Sequence, residues 1–329
     1  MIIITDKSEF NRHNGHEYRI ISMQKNSPQI NLLHISEIKK SKINNNVIID
    51  IPGISLRSLI NLRFKFSIKK VFLQDSQTLY FKSKVLFLIK SRNLFSTNFL
   101  YSFLKMIIFF LKELSICFLF NKIGFVSNSD ASIFKILFNK KILVISNGID
   151  FQSEKSKKIN NNSKVMKFIF WGNMSYEPNN DSFIFLLENY WSKLSEDFNI
   201  ELHIHGHSSL ELSNHILNHS NIFLKGKFDN LNDIFCKDSI FLNFVEFGSG
   251  IKNKTLEALS NGIPMITAKH SIIGTGIENS YKFSYSNYSE LKESIDNIKT
   301  ADENYIIYLQ NFITQNYNWT KSTEEYIAI

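Results

Sequence analysis

The 329-residue sequence is poor in cysteine, with only Cys117 and Cys236, and poor in proline, with four. Two thiols far apart in apolar stretches exclude a disulfide scaffold, and no paired spacing suggests zinc. Reduced thiols in a cytosolic protein are the expectation. Scarce proline beside 43% hydrophobic residues excludes a disordered chain. The opening MIIITDKSEF has too short an apolar run for a secretory signal, and no short repeat is visible. Negative charge is scarce in one half only. Residues 1–160 hold 10 Asp and Glu against 25 Lys and Arg, whereas residues 161–329 hold 20 against 13. The net +8 of the whole chain therefore hides a basic half and an acidic half. A basic half implies an anionic partner: nucleic acid, an anionic membrane face or a lipid-linked pyrophosphate. Simple solvation of a mixed surface is the alternative.

What is present is a hydrophobic pattern for two α/β halves. A chain of this length exceeds the usual limit of a single core, about 250–300 residues. Its 30 phenylalanines can fill two cores. Strands are expected at Ile2–Thr5, Gln29–Ile35, Asn46–Ile51, Lys70–Leu73, Ile123–Ser127 and Leu143–Ser146, with helices at Glu17–Lys25, Leu56–Phe66 and Ser129–Phe138. Ser129 is the expected cap of the last of these. Polar, aperiodic residues 151–164 read as an interdomain linker. The alternation restarts with strands at Lys167–Trp171, Asn199–His205, Ile222–Leu224, Ser239–Val245 and Pro264–Ala268. Helices are expected at Asp181–Trp191, Leu210–Asn218, Leu231–Cys236, Thr255–Ser260, Ser289–Lys299 and Glu303–Tyr317. Such alternation means parallel sheets, with ligands at strand C-terminal ends.

The stretch Asn98–Phe120 is the most apolar, but Lys105, Lys112 and Glu113 fall inside it. Charges near the centre of a span are costly, so a buried or interfacial helix is expected, including one resting on a membrane. His203, His205 and His207 alternate and share a strand face. No cysteine completes a metal set with them.

Residues 246–265, EFGSGIKNKTLEALSNGIPM, carry the densest chemistry. A glycine turn opening a helix offers unpaired N–H groups and the positive end of the helix dipole to an anion. Lys252 and Lys254 add positive charge, and Glu257 lies seven residues past Gly250, about two turns along the same face. A phosphate grip followed by a hydroxyl-binding carboxylate suits a nucleotide or nucleotide-sugar. The same pattern occurs at ordinary loop-to-helix junctions with solvated lysines, and spacing alone leaves both readings open.

Taken in order, FIFWGNMSYEPNND, LHIHG, IFLKGKFDNLNDIF, SIFLNFVEFGSGIKNKTLEALSNGIPMI and GTGI resemble the donor-binding half of glycosyltransferase family 4. The closer resemblance is to the subgroup with a Gly-Ile-x-Asn-Lys-x-Leu-Glu-Ala motif. The first half is similar more loosely, through Gly15 with Arg19, Asp75-Ser76, Glu113, FVSNSD and SNGID. The resemblance implies the GT-B arrangement, two Rossmann-like domains facing across a cleft. Residues 1–150 would be the acceptor domain, 165–302 the donor domain, and 303–329 a C-terminal helix returning to the first.

The implied reaction is retaining transfer of a sugar, of hexosyltransferase class, from a nucleotide-sugar to a saccharide acceptor without a metal or other cofactor. By resemblance, Glu257 binds the ribose. Gly248, Ser249, Gly250, Ile251 and Lys252 meet the diphosphate or donor sugar, and Lys254 neutralises the leaving diphosphate. Gly172 and Asn173 form the loop below the donor, Gly226 and Phe228 lie beside the base, and Gly15 approaches the donor phosphates. Ser249 stands where many members have a glutamate, and the Arg and Lys often found after the first strand of this domain are missing beyond Gly172.

Asp75, at a strand end, is the expected acceptor-orienting carboxylate, with capping of the next helix as the alternative; His16 is expected to be a solvated loop residue. Family habit and charge together suggest a cytoplasmic protein, peripheral on the inner membrane face, acting on a polyprenyl-pyrophosphate-linked acceptor in capsule, O-antigen or exopolysaccharide assembly. A non-catalytic sugar-nucleotide binder and an epimerase or phosphorylase of the same fold are alternatives. Nucleic acid is not expected, since no known motif accompanies the basic residues.

Overall fold

The computed structural model describes residues 1–7, 15–38, 47–150, 164–207, 210–235 and 239–328. Cys236 and all but the last residue of the expected linker lie outside these. Contacts divide the chain into two units. The first comprises Met1–Asp150, Gly248–Ile251 and Tyr317–Ile329; the second comprises Phe151–Phe247 and Lys252–Asn316.

In the first unit the order is β1 (Ile2–Thr5), α1 (Gly15–Asn26), β2 (Asn31–His34), β3 (Val47–Ile49), α2 (Leu56–Lys65), β4 (Lys70–Gln74), α3 (Gln77–Lys90), α4 (Thr97–Leu119), β5 (Lys122–Phe125), α5 (Asn128–Phe138) and β6 (Ile142–Val144). The sheet runs β2-β1-β3-β4-β5-β6, with all pairs parallel. Strand side chains alternate between two cores. Ile4, Ile49, Val71 and Phe125 pack with Leu59, Ile116 and Phe134 from α2, α4 and α5. Ile3, Ile48 and Phe72 pack on the other face with Met23 of α1. Such near-continuous apolar strands are what a sheet covered on both faces requires.

In the second unit the order is β7 (Met166–Trp171), α6 (Glu177–Leu186), a π turn (Leu187–Trp191), α7 (Ser192–Asp197), β8 (Ile200–His205), α8 (Leu210–Ile216), β9 (Ile222–Gly226), α9 (Leu231–Ile234), β10 (Ser239–Asn243), α10 (Asn253–Ser260), β11 (Met265–Ala268), β12 (Ser284–Tyr285), α11 (Tyr288–Ile298) and α12 (Glu303–Asn316). This sheet is also parallel throughout, in the order β12-β11-β10-β7-β8-β9. Its centre is aromatic: Phe170 stacks on Phe244 at 4.1 Å, and Trp171 lies 3.8 Å from Phe241.

A last helix, α13 (Trp319–Ile327), belongs to the first unit. Trp319 packs edge-on to Tyr18 of α1, and the Tyr326 ring lies 5.2 Å from Phe72. Asn318 caps α13 by accepting from the Lys321 N–H at 2.8 Å. The segment expected as one terminal helix is thus two, separated at Tyr317–Asn318.

Three local expectations need correction. α5 is capped by Ser127, which accepts from the Asp130 N–H at 3.0 Å; Ser129 lies within the helix. The helix expected from Asp181 starts at Glu177, because Pro178 fits the first turn, where its missing N–H has no partner to lose. α10 starts at Asn253, two residues ahead of the expected Thr255, with Lys252 at the cap. Gly248 and Gly250 have φ of 129° and 70°, so they form a loop rather than the helix opening, and Glu257 lies about one turn into the helix.

Candidate donor and acceptor sites

Each unit gathers polar groups at the C-terminal ends of its strands. In the second unit the gathering centres on the end of β7. Gly172 follows Trp171 with φ of +148°, a region that suits glycine. A Cβ at Gly172 would lie 2.6 Å from Lys254 Nζ and 3.3 Å from Asn179 Nδ2. The bare glycine therefore makes room for the lysine. Lys254 Nζ donates to Asn179 Oδ1 at 2.8 Å and lies 4.3 Å from the centre of the Phe170 ring. Asn179, buried in the first turn of α6, donates in turn to the Asn173 carbonyl at 2.7 Å. Burial pulls the Lys254 ammonium down to about 7; Glu257 opposes this, and Lys252 adds a lesser push downward.

Glu257 stands three residues further along α10, on the same side as Lys254. Its Oε2 accepts from the Trp171 indole N–H at 3.0 Å. A carboxylate and an ammonium one turn apart are thus both fixed to the end of β7. The loop that precedes α10 is anchored as well, because the Glu246 N–H donates to Ser182 Oγ at 2.9 Å. The neighbouring strand ends are stitched to β7. The Gly172 N–H donates to the His205 carbonyl at 2.9 Å, and the Gly206 N–H to the Gly226 carbonyl at 2.7 Å. Phe228, just beyond β9, presents its ring edge-on to His205. Burial and the nearby His203, Lys225 and Lys167 hold the His205 imidazole down to about 4. His203 pairs with Glu201 at 3.1 Å.

In the first unit the corresponding place is the end of β4. Gln74 has φ of +65° and sits at a register shift between β4 and β5. Such bulges re-aim the following residues. Gln74 donates to Asp50 Oδ1 at 2.7 Å. Asp50 is fully buried and also meets Arg19 at 3.1 Å, His16 at 3.3 Å and the Tyr326 hydroxyl at 2.8 Å. Burial alone would raise this carboxyl. Arg19, with the hydrogen bonds of His16 and Gln74, outweighs it and holds the group at about 2. His16, expected in solvent, has a side chain only 7% exposed, because it serves this buried carboxylate. Gly15 immediately precedes it at the start of α1.

Beyond Gln74, two buried acids clamp the entrance of α3. Glu113 accepts from Ser76 Oγ at 2.9 Å, the Gln77 N–H at 2.7 Å and Thr78 Oγ1 at 2.6 Å. Burial nevertheless raises its pKa. Asp130 Oδ1 accepts from the Ser76 N–H at 3.0 Å and the Gly250 N–H at 3.2 Å, while its Oδ2 accepts from Ser127 Oγ. Asp75 lies exposed between the clamped Gln74 and Ser76. Ser76 caps α3, so the capping alternative for Asp75 does not hold. Asp75 borders a pocket of about 90 Å³ lined also by Gln77, Phe109, Lys112 and Glu113.

The loop Gly248–Ile251 joins this group. A Cβ on Gly250 would run into the Asp75 carboxylate, and its φ of 70° also favours glycine. The Gly248 N–H donates to Ser83 Oγ at 2.9 Å. The N–H groups of Gly248 and Gly250 are therefore already engaged, contrary to the expectation of an unpaired glycine turn. Ser249 and Ile251 complete the loop, Ile251 with its side chain buried.

The structure thus brings together Gly172, Asn173, Lys254 and Glu257 in one unit, and Asp75 with Gly250 in the other. Sequence reasoning missed Trp171, Asn179, Asp50 and the double role of Asp130. Trp171 had a signal as the last residue of a strand before a glycine, and Asn179 as part of YEPNN; Asp50 directly follows β3. The sharing of Asp130 between two loops distant in sequence had none.

Residues 166–299 match the family described as glycosyl transferases group 1. No significant match is found among curated proteins. Among solved structures, the chain is similar to TarM of S. aureus at 15% identity with a TM-score of 0.57, covering 89% of this chain and 55% of TarM. The chain spans about half the length of that relative. It is similar over nearly full lengths to the lipopolysaccharide outer core galactosyltransferase WaaB, at 13% identity and a TM-score of 0.62, covering 99% of this chain and 98% of WaaB. HepE of Anabaena, solved in complex with UDP-glucose, is 12% identical with a TM-score of 0.62, covering 99% of this chain and 98% of HepE. The fold is therefore GT-B, two Rossmann-like units, and the second unit carries the group 1 glycosyltransferase pattern.

Proposed function

We propose that the chain is a retaining glycosyltransferase of hexosyltransferase class. It would move a sugar from a nucleotide-sugar to a saccharide acceptor, carried on a polyprenyl pyrophosphate, in bacterial surface polysaccharide assembly. The observation that carries the reading is the pair Lys254 and Glu257, both fixed at the end of β7 within the stretch that matches group 1 glycosyl transferases. Glu257, oriented by Trp171, accepts from the ribose hydroxyls. Lys254, with Lys252, meets the diphosphate. Gly172 and Asn173 floor this site, Gly226 and Phe228 border the base, and Gly248, Ser249, Gly250 and Ile251 supply backbone toward the sugar and phosphates. Gly15 belongs to the same donor set. HepE, solved with UDP-glucose, supports a uridine nucleotide as the first donor to try.

In the transfer, the bond from the anomeric carbon to the diphosphate oxygen breaks and its electron pair leaves with the diphosphate. The acceptor hydroxyl oxygen bonds the anomeric carbon on the same face, and its proton passes to the departing phosphate oxygen. Lys254, protonated once an anionic diphosphate lies beside it, stabilises that growing negative charge electrostatically. Asp75 orients the acceptor hydroxyl.

A thermal-shift screen with nucleoside diphosphates and nucleotide-sugars tests the donor site, since a tight ligand raises stability by mass action. A stabilising nucleotide-sugar that Lys254→Ala no longer recognises is the expected result. Full transfer by Lys254→Ala would sink the role given to that lysine. A donor that binds but is neither hydrolysed nor transferred would favour a non-catalytic binder, the alternative that Ser249 and the looser first-half resemblance leave open.

A further inference from the structure

α4 buries Ile116 and Cys117 in the core yet lacks the polar outward face of an ordinary surface helix. Its inward positions include Ser102 and the carboxylate of Glu113, both buried. Its outward positions include Leu100, Leu104, Ile107, Ile108, Leu111 and Phe118, each between 42% and 68% exposed. Their spacing of three and four residues makes one stripe about 27 Å long. Every exposed position of α4 is uncharged, since Lys105 and Lys112 are half-buried against Tyr101 and Phe109. Ahead of α4, the turn after α3 exposes Leu94 and leaves Phe95 wholly in solvent. An apolar stripe of this length on a folded unit marks an interaction surface.

The charges around it identify the partner. Residues 56–141, from α2 past α5, contain 15 Lys and Arg but three acids, Asp75, Glu113 and Asp130. Two of those acids are buried. The surface of these elements is therefore cationic around an apolar stripe. A second copy docking face to face would bring the same cations against each other, which opposes self-association. Among the described residues no helix is long and apolar enough to cross a membrane. A surface that offers both hydrocarbon and phosphate meets both needs.

We propose that α4 and Phe95 form a docking face for an anionic lipid bilayer. The stripe lies in the acyl boundary, and Lys82, Lys90 and Arg92, on α3 and the turn that carries Phe95, sit at the phosphates. The inference is independent of the glycosyltransferase reading and is tested without substrate. The full chain is floated with vesicles of phosphatidylglycerol and phosphatidylcholine, and with phosphatidylcholine alone. Binding to the anionic vesicles that weakens as salt rises is expected. Phe95→Asp and Ile108→Asp should each weaken it about tenfold or more, the scale for withdrawing one large apolar side chain from lipid. Both positions are exposed, so circular dichroism should be unchanged. A Leu104→Trp probe should blue-shift on anionic vesicles. Failure to float with anionic vesicles at low salt would overturn the proposal, as would binding indifferent to both aspartates. Concentration-dependent dimers abolished by the same substitutions would replace it with an interface between copies.

Discussion

Gly172→Ala is the sharpest probe of the donor site. An alanine Cβ would approach Lys254 Nζ to 2.6 Å and Cε to 2.8 Å. Restoring ordinary contact needs a shift of about 0.9 Å. The Lys254–Asn179 hydrogen bond, now 2.8 Å, would lengthen past useful reach. Losing a hydrogen bond from a charged donor costs about 1.5–3 kcal/mol. Holding a non-glycine residue at φ of +148° adds roughly 1–3 kcal/mol of backbone strain. Denaturant melts of the single and double variants separate these two effects. In a Lys254→Ala background the strain persists but the clash does not. The coupling between the substitutions should therefore be about 1.5–3 kcal/mol. A Gly172→Ala penalty that is the same with and without Lys254 would refute the claim that the glycine exists to house the lysine.

Three further outcomes are expected. Asp50, held at about 2 in the fold against 3.8 for the ordinary group, contributes about 2 kcal/mol above pH 3.8 that is lost as pH falls toward 2. Acid titration of stability should show this slope, and Asp50→Asn should lack it. Because the Lys254 ammonium is pulled down to about 7, binding an anionic diphosphate beside it should take up protons at pH 8 and few at pH 6. Calorimetry in buffers of different ionisation heat reads that uptake, and none at pH 8 would contradict it. Burial, followed by the charge of Glu113, pushes the Cys117 thiol to about 12. In a Cys236→Ser background, thiol reagents at pH 8 should label the native chain at least about a hundredfold more slowly than the unfolded chain.

The strands were legible because parallel sheets covered on both faces write themselves as short apolar runs. β1 and β7 fall within a residue of their expected ends. Helix α3 was passed over because QTLYFKSKVLFLIK is apolar nearly all round; its buried positions include Phe81, Val85 and Leu88, and no clean amphipathic stripe remains to announce it. The spacing of Lys254 and Glu257 on one helix face could be read from residue numbers. Their anchors could not, because Trp171 lies 86 positions from Glu257 and Asn179 lies 75 from Lys254. His16 misled for a similar reason: a polar loop context says nothing of a carboxylate 34 positions later that needs burying company. The engaged N–H groups of Gly248 and Gly250 depend on Ser83 and Asp130, which are 165 and 120 positions away.

The placement of α13 bears on how the chain is made. The first sheet forms from early residues, yet its core includes Trp319 and Tyr326, and the buried Asp50 holds one of its partners, the Tyr326 hydroxyl, only from that helix. Gly148 packs against the backbone of Trp319, and the Ile149 N–H donates to the Tyr317 carbonyl. The first unit to emerge during synthesis is therefore the last to be finished. Until residues 317–328 leave the ribosome, one face of its sheet is covered by α1 without α13, and Asp50 has Arg19, His16 and Gln74 but not the Tyr326 hydroxyl. The second unit is closed by α12, whose Gln310 donates to the Ser260 carbonyl, so it is complete one helix earlier in the chain and the first unit closes last.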